Sequence, residues 1–420
     1  MKTLFFSLLL LLVLTASSDP ATGQGHGTDT PAQSSTRADG KIASGADDFA
    51  FRLAQELASE TGDQNFVCSP FSVWLPLAAL TGASQEPARS EMIKILAGDG
   101  LQADDLDRGA LRLLSDLNST LNQERHPDLF QNQLKIANAV FVSDELTLTP
   151  EFAKRFSDFY LGVAKNINFK SPEAVNEVNA WISANTGGKI NQLVSEFAPY
   201  TVVALTNAIY LSDAWLEPFD PALTKKGPFH TSEGEVEADL MEQNLSVSYF
   251  EDAQLQALPL RLLGGGGLLL LLPKNGNVKD LLNSLSAEKI RTIDDQAVLG
   301  FGRLVLPRFK IESPALALEE SLKQLGVPLF DAQKPSLTHG LVEGDNPLYL
   351  SQALHKALIE VDEHGLTAAA STVMGMVTSS LIANPKPFEM ICNRPFAFVV
   401  YAKVTDNPVQ VLFTGIVYQP

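Results

Sequence analysis

The sequence predicts an α+β fold formed by one large domain over residues 45–420. Apolar residues recur at helical spacing in the first half of the chain, whereas the second half is mostly short apolar or alternating runs typical of strands. Helices followed by many strands favour helices packed on a multi-stranded sheet. No linker or repeat interrupts these segments after residue 47, so one domain is favoured over the two or three that length alone suggests.

The predicted helices follow from amphipathic spacing and from breakers at their ends. Phe49 and Leu53 lie on one face of the first helix, a Ser-Pro pair precedes the second, and a Thr-Gly-Gly run ends the last. Helices are expected at residues 47–59, 71–82, 89–97, 105–123, 149–156 and 172–184.

The predicted strands are apolar or alternating runs bounded by turn residues. Glycines 264–267 are expected to form a hairpin tip, because no Gly-Lys-Ser/Thr follows them as a phosphate-binding loop would require. A second hairpin is expected through Asp406-Asn407-Pro408. Strands are expected at residues 134–142, 201–211, 236–241, 245–250, 257–262, 268–272, 301–310, 396–404 and 409–417.

The first 44 residues differ from the rest of the chain. Residues 1–18 are typical of a signal peptide: Lys2 is followed by an apolar run that is too short to span a bilayer and then by small residues. No later apolar segment is long enough to span one, so we expect a secreted protein without a membrane partner. Residues 19–44 are polar and lack periodicity, which predicts a flexible acidic and polar tail.

The composition excludes several classes of protein. The 420 residues contain 49 acidic and 31 basic side chains, a formal net charge of -18, and 45% of them are hydrophobic. A disordered chain would have fewer apolar residues for its charge. So acidic a protein also repels nucleic acid unless it carries a basic patch, and the sequence contains none, so no nucleic-acid partner is expected.

Local signatures of catalysis and of metal binding are absent from the sequence. The six histidines form no H-E-x-x-H motif or other metal-ligand spacing, and there is no G-x-S-x-G, phosphate-loop or dinucleotide motif. We therefore expect no enzyme, no cofactor and no metal, although a catalytic triad assembled from distant residues stays open.

Two cysteines and two glycosylation motifs are the remaining local features. Cys68 and Cys392 stand in apolar surroundings and can either pair or remain buried free thiols, of which we expect the second. The N-x-S/T motifs at Asn118 and Asn244 would carry glycans in a eukaryotic secretory pathway.

The segment from residue 366 to 384 has no charged side chain, and its small residues alternate as in a strand. Such a segment can exist as an exposed loop or as a central strand, which makes it a candidate bistable element; an ordinary strand is the alternative. One face becomes bulkier along the segment and suits burial, with Leu366, Ala368, Ala370, Thr372, Met374 and Met376. The other face stays small, with Thr367, Ala369, Ser371, Val373, Gly375 and Val377.

The chain resembles the serpin family from about residue 47 to Pro420. The resemblance rests on the charge-free segment and on seven motifs in the family's order. These are NFVCSPFS (65–72), NAWISANTGGKINQLV (179–194), LTNAIYLSDAWLEPFD (205–220), FHTSEGEVEADLM (229–241), LSQALHKALIEVDEHG (350–365), NRPFAFVV (393–400) and VLFTGIVYQP (411–420). It implies helices packed on a large mixed β-sheet with two smaller sheets and an exposed reactive loop over about residues 363–388.

The implied function is suicide inhibition of serine proteases by a monomer. The protease cleaves the loop, forms an acyl-enzyme, and is trapped when the cut loop inserts into the large sheet as an extra strand. Counting from Glu363 puts the cleaved bond at Ser379–Ser380, with Met374, Met376 and Leu381 as other candidates for the recognised residue. The loop has no Lys or Arg before Lys386, so elastase-, chymotrypsin- or subtilisin-like targets are expected rather than trypsin-like ones. Without a basic helix, no heparin-like activator is expected.

The resemblance also implies roles for residues around the sheet. Ser69, Ser72, Asn207 and His355 match the buried polar cluster beneath the sheet opening, where His355 is a hydrogen-bonded core residue and not a catalyst. At the top of the opening, Trp215 matches an aromatic residue of the family, and Arg308 and Glu363 match an ion pair. The matched hinge consists of Glu363, Gly365, Leu366, Thr367, Ala368, Ala369, Ala370, Ser371 and Thr372.

Leu366 departs from the family's pattern. Inhibitory members usually have a small Thr or Ser here, and as the first side chain to be buried, Leu366 could slow insertion and turn an inhibitor into a substrate. The alternative function is therefore a non-inhibitory serpin that acts as a carrier, chaperone or substrate precursor.

Overall fold

The computed structural model describes residues 31–121, 133–338, 340–345, 347–366, 385–404 and 407–420. Its α-helices are α1 Pro31–Glu60, α2 Pro70–Gly82, α3 Ala88–Ala97, α4 Ala103–Leu121, α5 Pro150–Tyr160, α6 Glu173–Asn185, α7 Val278–Asn283, α8 Ala287–Gln296 and α9 Glu319–Gln324. Short 3-10 helices occupy Pro221–Leu223 and Pro328–Phe330.

The strands alternate with these helices and dominate the second half of the chain. They are β1 Phe66–Cys68, β2 Gln133–Ser143, β3 Gly162–Ile167, β4 Val203–Ala214, β5 Lys225–Thr231, β6 Gly234–Glu251, β7 Leu255–Arg261, β8 Gly266–Pro273, β9 Val298–Pro307, β10 Phe309–Glu312, β11 Leu316–Ala317, β12 Gln352–Val361, β13 Gly365–Leu366, β14 Lys386–Ile391, β15 Phe396–Val404 and β16 Asn407–Val417.

One mixed sheet has the order β10-β12-β13-β4-β2-β3, with β11 paired to β12. β4 pairs antiparallel with β2 but parallel with β12, and β2 pairs parallel with β3. α2 packs on one face of this sheet with every residue from Pro70 to Thr81 buried, which suits its almost uninterrupted apolar sequence. A second apolar cluster, which includes Phe141, Val178 and Ala208, packs α6 on the opposite face.

The remaining strands form one continuous hydrogen-bonded path, β1-β16-β15-β8-β7-β6-β9-β14, with β5 paired to β6. The predicted strands at residues 236–241 and 245–250 are a single long strand, β6, so predicting two strands there was wrong. β6 pairs with β9 over Leu240–Tyr249 and with β7 at Phe250 and Glu251. It therefore joins two smaller sheets, β5-β6-β9-β14 and β1-β16-β15-β8-β7-β6. The strand pairing of both predicted hairpins is confirmed, since β7 pairs antiparallel with β8 and β15 with β16. Residues 405 and 406, at the tip of the second hairpin, lie outside the described residues.

The first helix is longer than predicted. It begins at Pro31 instead of residue 47, and Ile42 and Ala43 are buried in the main core. The last residues of the predicted tail 19–44 are thus helical, although they lack the apolar periodicity by which a helix is recognised. Residues 1–30, which contain the predicted signal peptide, lie outside the described residues.

α1 is connected to the β15–β16 hairpin by a buried carboxyl group. The side chain of Asp47 accepts hydrogen bonds from the backbone N–H of Val411 and the Nε2 of Gln410, both at 2.8 Å, and from the Nδ2 of Asn407. Burial disfavours the charged form and raises the pKa of Asp47 to about 7, although the hydrogen bonds from Val411 and Asn407 act in the opposite direction.

Asp47 should make stability depend on pH. Its unfolded pKa is about 3.9, so its contribution is present below about pH 4 and is lost as the pH rises through 7. Asp47→Asn does not titrate, so we expect the thermal midpoint of the variant to lie further below that of the wild type at pH 5 than at pH 8. The gap should differ by the equivalent of about 2 kcal/mol. Equal gaps at the two pH values would contradict this account of the Asp47 site.

Candidate functional site: the opening of the large sheet

The mixed sheet with the order β10-β12-β13-β4-β2-β3 is the large sheet of the resemblance, and its opening lies between the parallel strands β4 and β12. The two strands are directly paired from Gln352–Ala204 to Ala357–Ile209, and His355 lies beside Asn207 in this register. Beyond Ile209 they separate, and the two residues of β13 lie between them, antiparallel to both. The sheet is therefore closed along its middle and already open at its top.

A buried polar cluster connects the closed part of the sheet to α2. His355 Nδ1 lies 2.6 Å from the Oδ1 of Asn207, and the Ser69 backbone N–H donates to His355 Nε2 at 2.9 Å. Ser72 Oγ donates to the same Asn207 Oδ1 at 2.6 Å, and Asn207 Nδ2 donates to the Ser72 carbonyl at 2.7 Å. The structure thus brings together the four residues that the sequence grouped here, namely Ser69, Ser72, Asn207 and His355.

The protonation state of His355 follows from its partners. Since Nε2 accepts the Ser69 N–H, the ring proton must lie on Nδ1, where it donates to Asn207. The side chain is fully buried, which disfavours the imidazolium and lowers the pKa of His355 to about 3. A neutral histidine with both nitrogens hydrogen-bonded is a structural element of the sheet and not a general base.

Asn138 belongs to the same cluster, and sequence reasoning missed it. The Nδ2 of Asn207 also donates to the Oδ1 of Asn138, which pairs with Asn207 across β2 and β4. The Nδ2 of Asn138 is buried without a hydrogen-bond partner. The available signal was a single amide in the apolar run LKIANAVFV, since a buried polar residue in a strand usually needs a specific partner.

The chain turns sharply where β12 ends. The Asp362 N–H donates to the Gly365 carbonyl at 3.2 Å, and the Asp362 carboxylate accepts from the backbone N–H groups of His364 and Gly365. Trp215 holds this turn from the β4 side: its Nε1 donates to the Asp362 carbonyl and its backbone N–H to the His364 carbonyl, both at 2.8 Å. The turn therefore directs residues 365 and 366 into the sheet.

Gly365 and Leu366 occupy the open top of the sheet. Gly365 pairs with Ala214, and a Cβ atom at this position would lie 2.1 Å from the Asp213 carbonyl oxygen, so only glycine fits here. Leu366 lies between Asp213 and Val361 and is 1% exposed, within the main apolar core. The core of the native chain thus accommodates the bulk of Leu366. The next eighteen positions, residues 367–384, lie outside the described residues.

An ion pair closes the edge of this opening. Arg308 donates from Nε to both carboxylate oxygens of Glu363 at 2.9 Å and from Nη2 at 2.6 Å, and Thr224 Oγ1 also donates to Glu363. The Glu363 side chain is 3% exposed, whereas that of Arg308 is 44% exposed. Burial of Glu363 would raise its pKa, but the bonds from Arg308 and Thr224 outweigh it and lower the pKa.

The other predicted site residues divide into two groups. The hinge residues Thr367, Ala368, Ala369, Ala370, Ser371 and Thr372 and the reactive bond Ser379–Ser380 lie outside the described residues. Asn118 is exposed on α4 and Asn244 is exposed on β6. Cys68 and Cys392 are buried free thiols, as predicted.

The described part of the chain lacks a metal-ligand cluster and a membrane-spanning helix. No group of three or more His, Cys, Asp or Glu residues there could hold a metal ion. No helix there is long and apolar enough to cross a membrane.

In the described residues, β13 lies between β4 and β12 at the top of the sheet, above the buried polar cluster of Asn207 and His355. The family model described as "Serpin (serine protease inhibitor)" matches residues 44–420. The chain belongs to the serpin family, most of whose members inhibit proteases.

Curated relatives match along nearly their whole length. Serpin A3-3 of Bos taurus is 32% identical over 91% of this chain and 90% of the relative. An uncharacterized serpin-like protein of Thermococcus kodakarensis is 31% identical over 89% and 84%, respectively. Alpha-1-antiproteinase of Mus saxicola is 30% identical over 94% and 92%.

Solved structures share the fold. Serpin48, described as a highly specific serpin of the insect Tenebrio molitor, has a TM-score of 0.76 at 26% identity and covers 94% of this chain and 100% of its own. Human thyroxine-binding globulin, complexed with thyroxine, has a TM-score of 0.80 at 24% identity, with 91% and 99% covered. The predicted α+β serpin fold is therefore confirmed.

The polar cluster should make the native state sensitive to acid. The folded pKa of His355 lies below its unfolded value of about 6.5, so its contribution to stability is present above pH 6.5 and is lost as the pH falls toward 3. Glu363 acts in the same direction below about pH 4.3. Between pH 6.5 and 4.5 His355 alone should remove about 2–3 kcal/mol.

His355→Gln tests this expectation, because glutamine can hydrogen-bond but does not titrate. We expect the variant to be less stable than the wild type at pH 7, with a gap that narrows at pH 4.5. The measurement is the thermal unfolding midpoint at one fixed heating rate, because the midpoint of irreversible unfolding depends on that rate. A gap that stays constant or widens on acidification would exclude His355 as the acid-sensitive group.

Proposed function

We propose that this chain is a secreted suicide inhibitor of serine proteases. Its loop is cleaved near Ser379–Ser380 and then inserts between β4 and β12, which traps the protease as an acyl-enzyme. Secretion is proposed from the signal-like residues 1–18. Several of the curated relatives are protease inhibitors by name or family, which supports the reaction class but not the target.

The observation that carries the proposal is the position of β13. Gly365 and Leu366 already pair antiparallel to β4, with partners that decrease by one as the chain advances. If the pairing continues in the same register, Thr372 comes to lie opposite Asn207 on β4. Thr372 is six residues after Leu366, and Asn207 is six residues before its partner Asp213. Continuing the Val361–Leu366 pairing on β12 places Thr372 opposite His355 as well. Inserted Thr372 would thus separate Asn207 from His355.

The same register distinguishes the two faces of the loop. Residues paired across strands share a face, so Leu366, Ala368, Ala370 and Thr372 would share the face on which Asn207 and His355 contact α2. The alternate residues of the segment, beginning with Thr367, would point to the other face of the sheet. Thr367 would pair with Glu360, whose side chain is 42% exposed. The alternation of the sequence therefore matches the burial that insertion would demand.

Insertion would exchange interactions at defined places. The hydrogen bonds that pair β4 with β12 would be replaced by bonds from both strands to the inserted segment, and the Asn207–His355 bond would be replaced by bonds to the Thr372 hydroxyl. The inserted strand would form one hydrogen-bond ladder with β4 and another with β12, in place of the single ladder that now joins those two strands. The closed form is therefore proposed to be metastable and to persist because β4 and β12 must first separate.

The buried position of Leu366 favours inhibition over a substrate-like role. The sequence alone suggested that its bulk would slow insertion, but the side chain is buried in the core of the native chain. Its burial adds no cost to the later steps.

Charge and side-chain type narrow the proposed targets. No Lys or Arg occurs between residues 366 and 385, so trypsin-like pockets have no cation to bind, and elastase-, chymotrypsin- or subtilisin-like serine proteases are proposed instead. The net charge of -18 would attract a basic protease at long range. A monomer that uses no heparin-like activator, no nucleic acid and no cofactor is proposed.

A gel assay tests the function directly. The purified protein is mixed with pancreatic elastase or with chymotrypsin and run on a denaturing gel. We expect an SDS-stable band at the summed mass of the two chains, because the acyl-enzyme ester is covalent. Complete cleavage in the loop without such a band would instead support a non-inhibitory serpin acting as a carrier, chaperone or substrate precursor.

A matched pair of substitutions tests the inserted register. Thr372→Lys would bury an ammonium group between Asn207 and His355, whereas Thr367→Lys would place the same group beside Glu360. We expect the first to yield at least about tenfold less covalent complex per loop cleaved, because an unpaired buried charge costs several kcal/mol. The second should stay close to wild type. Similar losses in both variants would contradict the register.

A further inference from the structure

An exposed phenylalanine lies on the outer face of the β5-β6-β9-β14 end of the smaller sheets. The Phe301 side chain on β9 is 54% exposed, and it is the one phenylalanine among the exposed large hydrophobic residues of the described chain. Its neighbours in the strand, Gly300 and Gly302, approach Phe388 so closely that a Cβ atom at either would clash. The strand is therefore tightly packed on its inner side while it presents an aromatic ring to solvent, where apolar area is unfavourable.

The glycosylation motif at Asn244 lies directly beside this ring. β6 and β9 are antiparallel, with Ser246 opposite Phe301 and Asn244 opposite Arg303. Leu245 is buried, whereas Asn244 and Ser246 are exposed, so both motif residues share the outer face with Phe301. Asn244 and Phe301 are thus diagonal cross-strand neighbours, about 7–8 Å apart by their backbones and within reach of an aromatic side chain.

Arg303, which lies opposite Asn244, is held by two carboxylate groups. Its guanidinium donates to both oxygens of Glu242 at 2.9 and 3.0 Å and to Glu389 at 2.9 Å. Glu242 is opposite Val305, one step further from Phe301 than Asn244 is. These bonds draw the arginine away from the aromatic ring, so a group attached to Asn244 can extend over Phe301.

We propose that Asn244 carries an N-linked glycan and that the Phe301 ring binds the apolar face of its first N-acetylglucosamine. In the attachment step, Nδ2 of Asn244 forms a bond to the anomeric carbon of a lipid-pyrophosphate-linked oligosaccharide. The bond from that carbon to the pyrophosphate oxygen breaks, and the lipid pyrophosphate leaves as one amide proton is lost. The C–H groups of the sugar ring then cover the aromatic face while its hydroxyl groups stay in water. The inference rests on the proposed secretion and is independent of protease inhibition.

The second motif provides an internal control. Asn118 is exposed on α4, a helix whose sequence contains no aromatic residue. A glycan on Asn118 has no ring of its own helix to pack on, so its removal should change stability little. Only the Asn244 site combines the motif with an exposed aromatic partner on a neighbouring strand.

The experiment uses the full chain secreted from insect cells, once with its own first 18 residues and once with the leader of an established secreted protein. The second version tests Asn244 even if the native leader fails. Ser246→Ala removes the motif, Phe301→Thr removes the ring, and the double variant completes the cycle, with Asn118→Gln as the control. Peptide mass spectrometry before and after peptide N-glycosidase reports occupancy, and the thermal midpoint reports stability.

We expect Asn244 to be occupied and Ser246→Ala to lower the midpoint by about 1–3 °C in the wild-type background. In the Phe301→Thr background the same change should have little effect. An unoccupied Asn244 in the secreted protein would overturn the proposal. Equal effects of Ser246→Ala in both backgrounds would overturn the role of Phe301. The role of Phe301 would also be overturned if the glycan still stabilised the Phe301→Thr variant while that variant formed the protease complex more slowly than the wild type. The ring would then contact the protease and not the sugar.

Discussion

The parallel contact between β4 and β12 is the constraint on which the rest of the molecule depends. Neutral polar groups buried at this contact are stable only while each finds its partner, and the Asn207–His355 pair requires the two strands to be adjacent. α2 contributes Ser69 and Ser72 to the same cluster, so separating the strands also disturbs the contact between helix and sheet. Separation of β4 from β12 would therefore break the Asn207–His355 bond and disturb the bonds of both residues to α2.

The top of the sheet is arranged differently from its middle. There Trp215 fixes the turn after β12, the Arg308–Glu363 pair holds the edge, and Leu366 fills the gap between the strands. The pair is half exposed on the arginine side, so it contributes modestly to stability, whereas the burial of Leu366 is a full apolar contact. Gly365 and Leu366 are thus well packed, and in the proposed insertion their pairing would set the register of the added strand.

The acidic surface and the outer face of the smaller sheets concern encounters with other molecules. A net charge of -18 acts over the whole protein and affects association rates, whereas a single exposed ring such as Phe301 acts only at contact. Buried Asp47 and buried His355 respond to pH in opposite directions, because burial raises the pKa of an acid and lowers that of a base. The pH dependence of the whole protein is the sum of such opposed contributions.

Sequence reasoning predicted the elements with a strong local pattern, such as apolar α2, apolar β4 and the β7–β8 hairpin, and the motifs indicated which polar residues meet beneath the sheet. It missed the start of α1 at Pro31 and the continuity of β6, where apolar periodicity is weak. It also missed Asn138, whose partner Asn207 lies far along the chain. The burial of Leu366 and the position of Phe301 beside Asn244 follow from contacts between distant strands, which no local pattern indicates. Period and composition are properties of neighbouring residues, whereas these contacts depend on which distant strands pair and in what register.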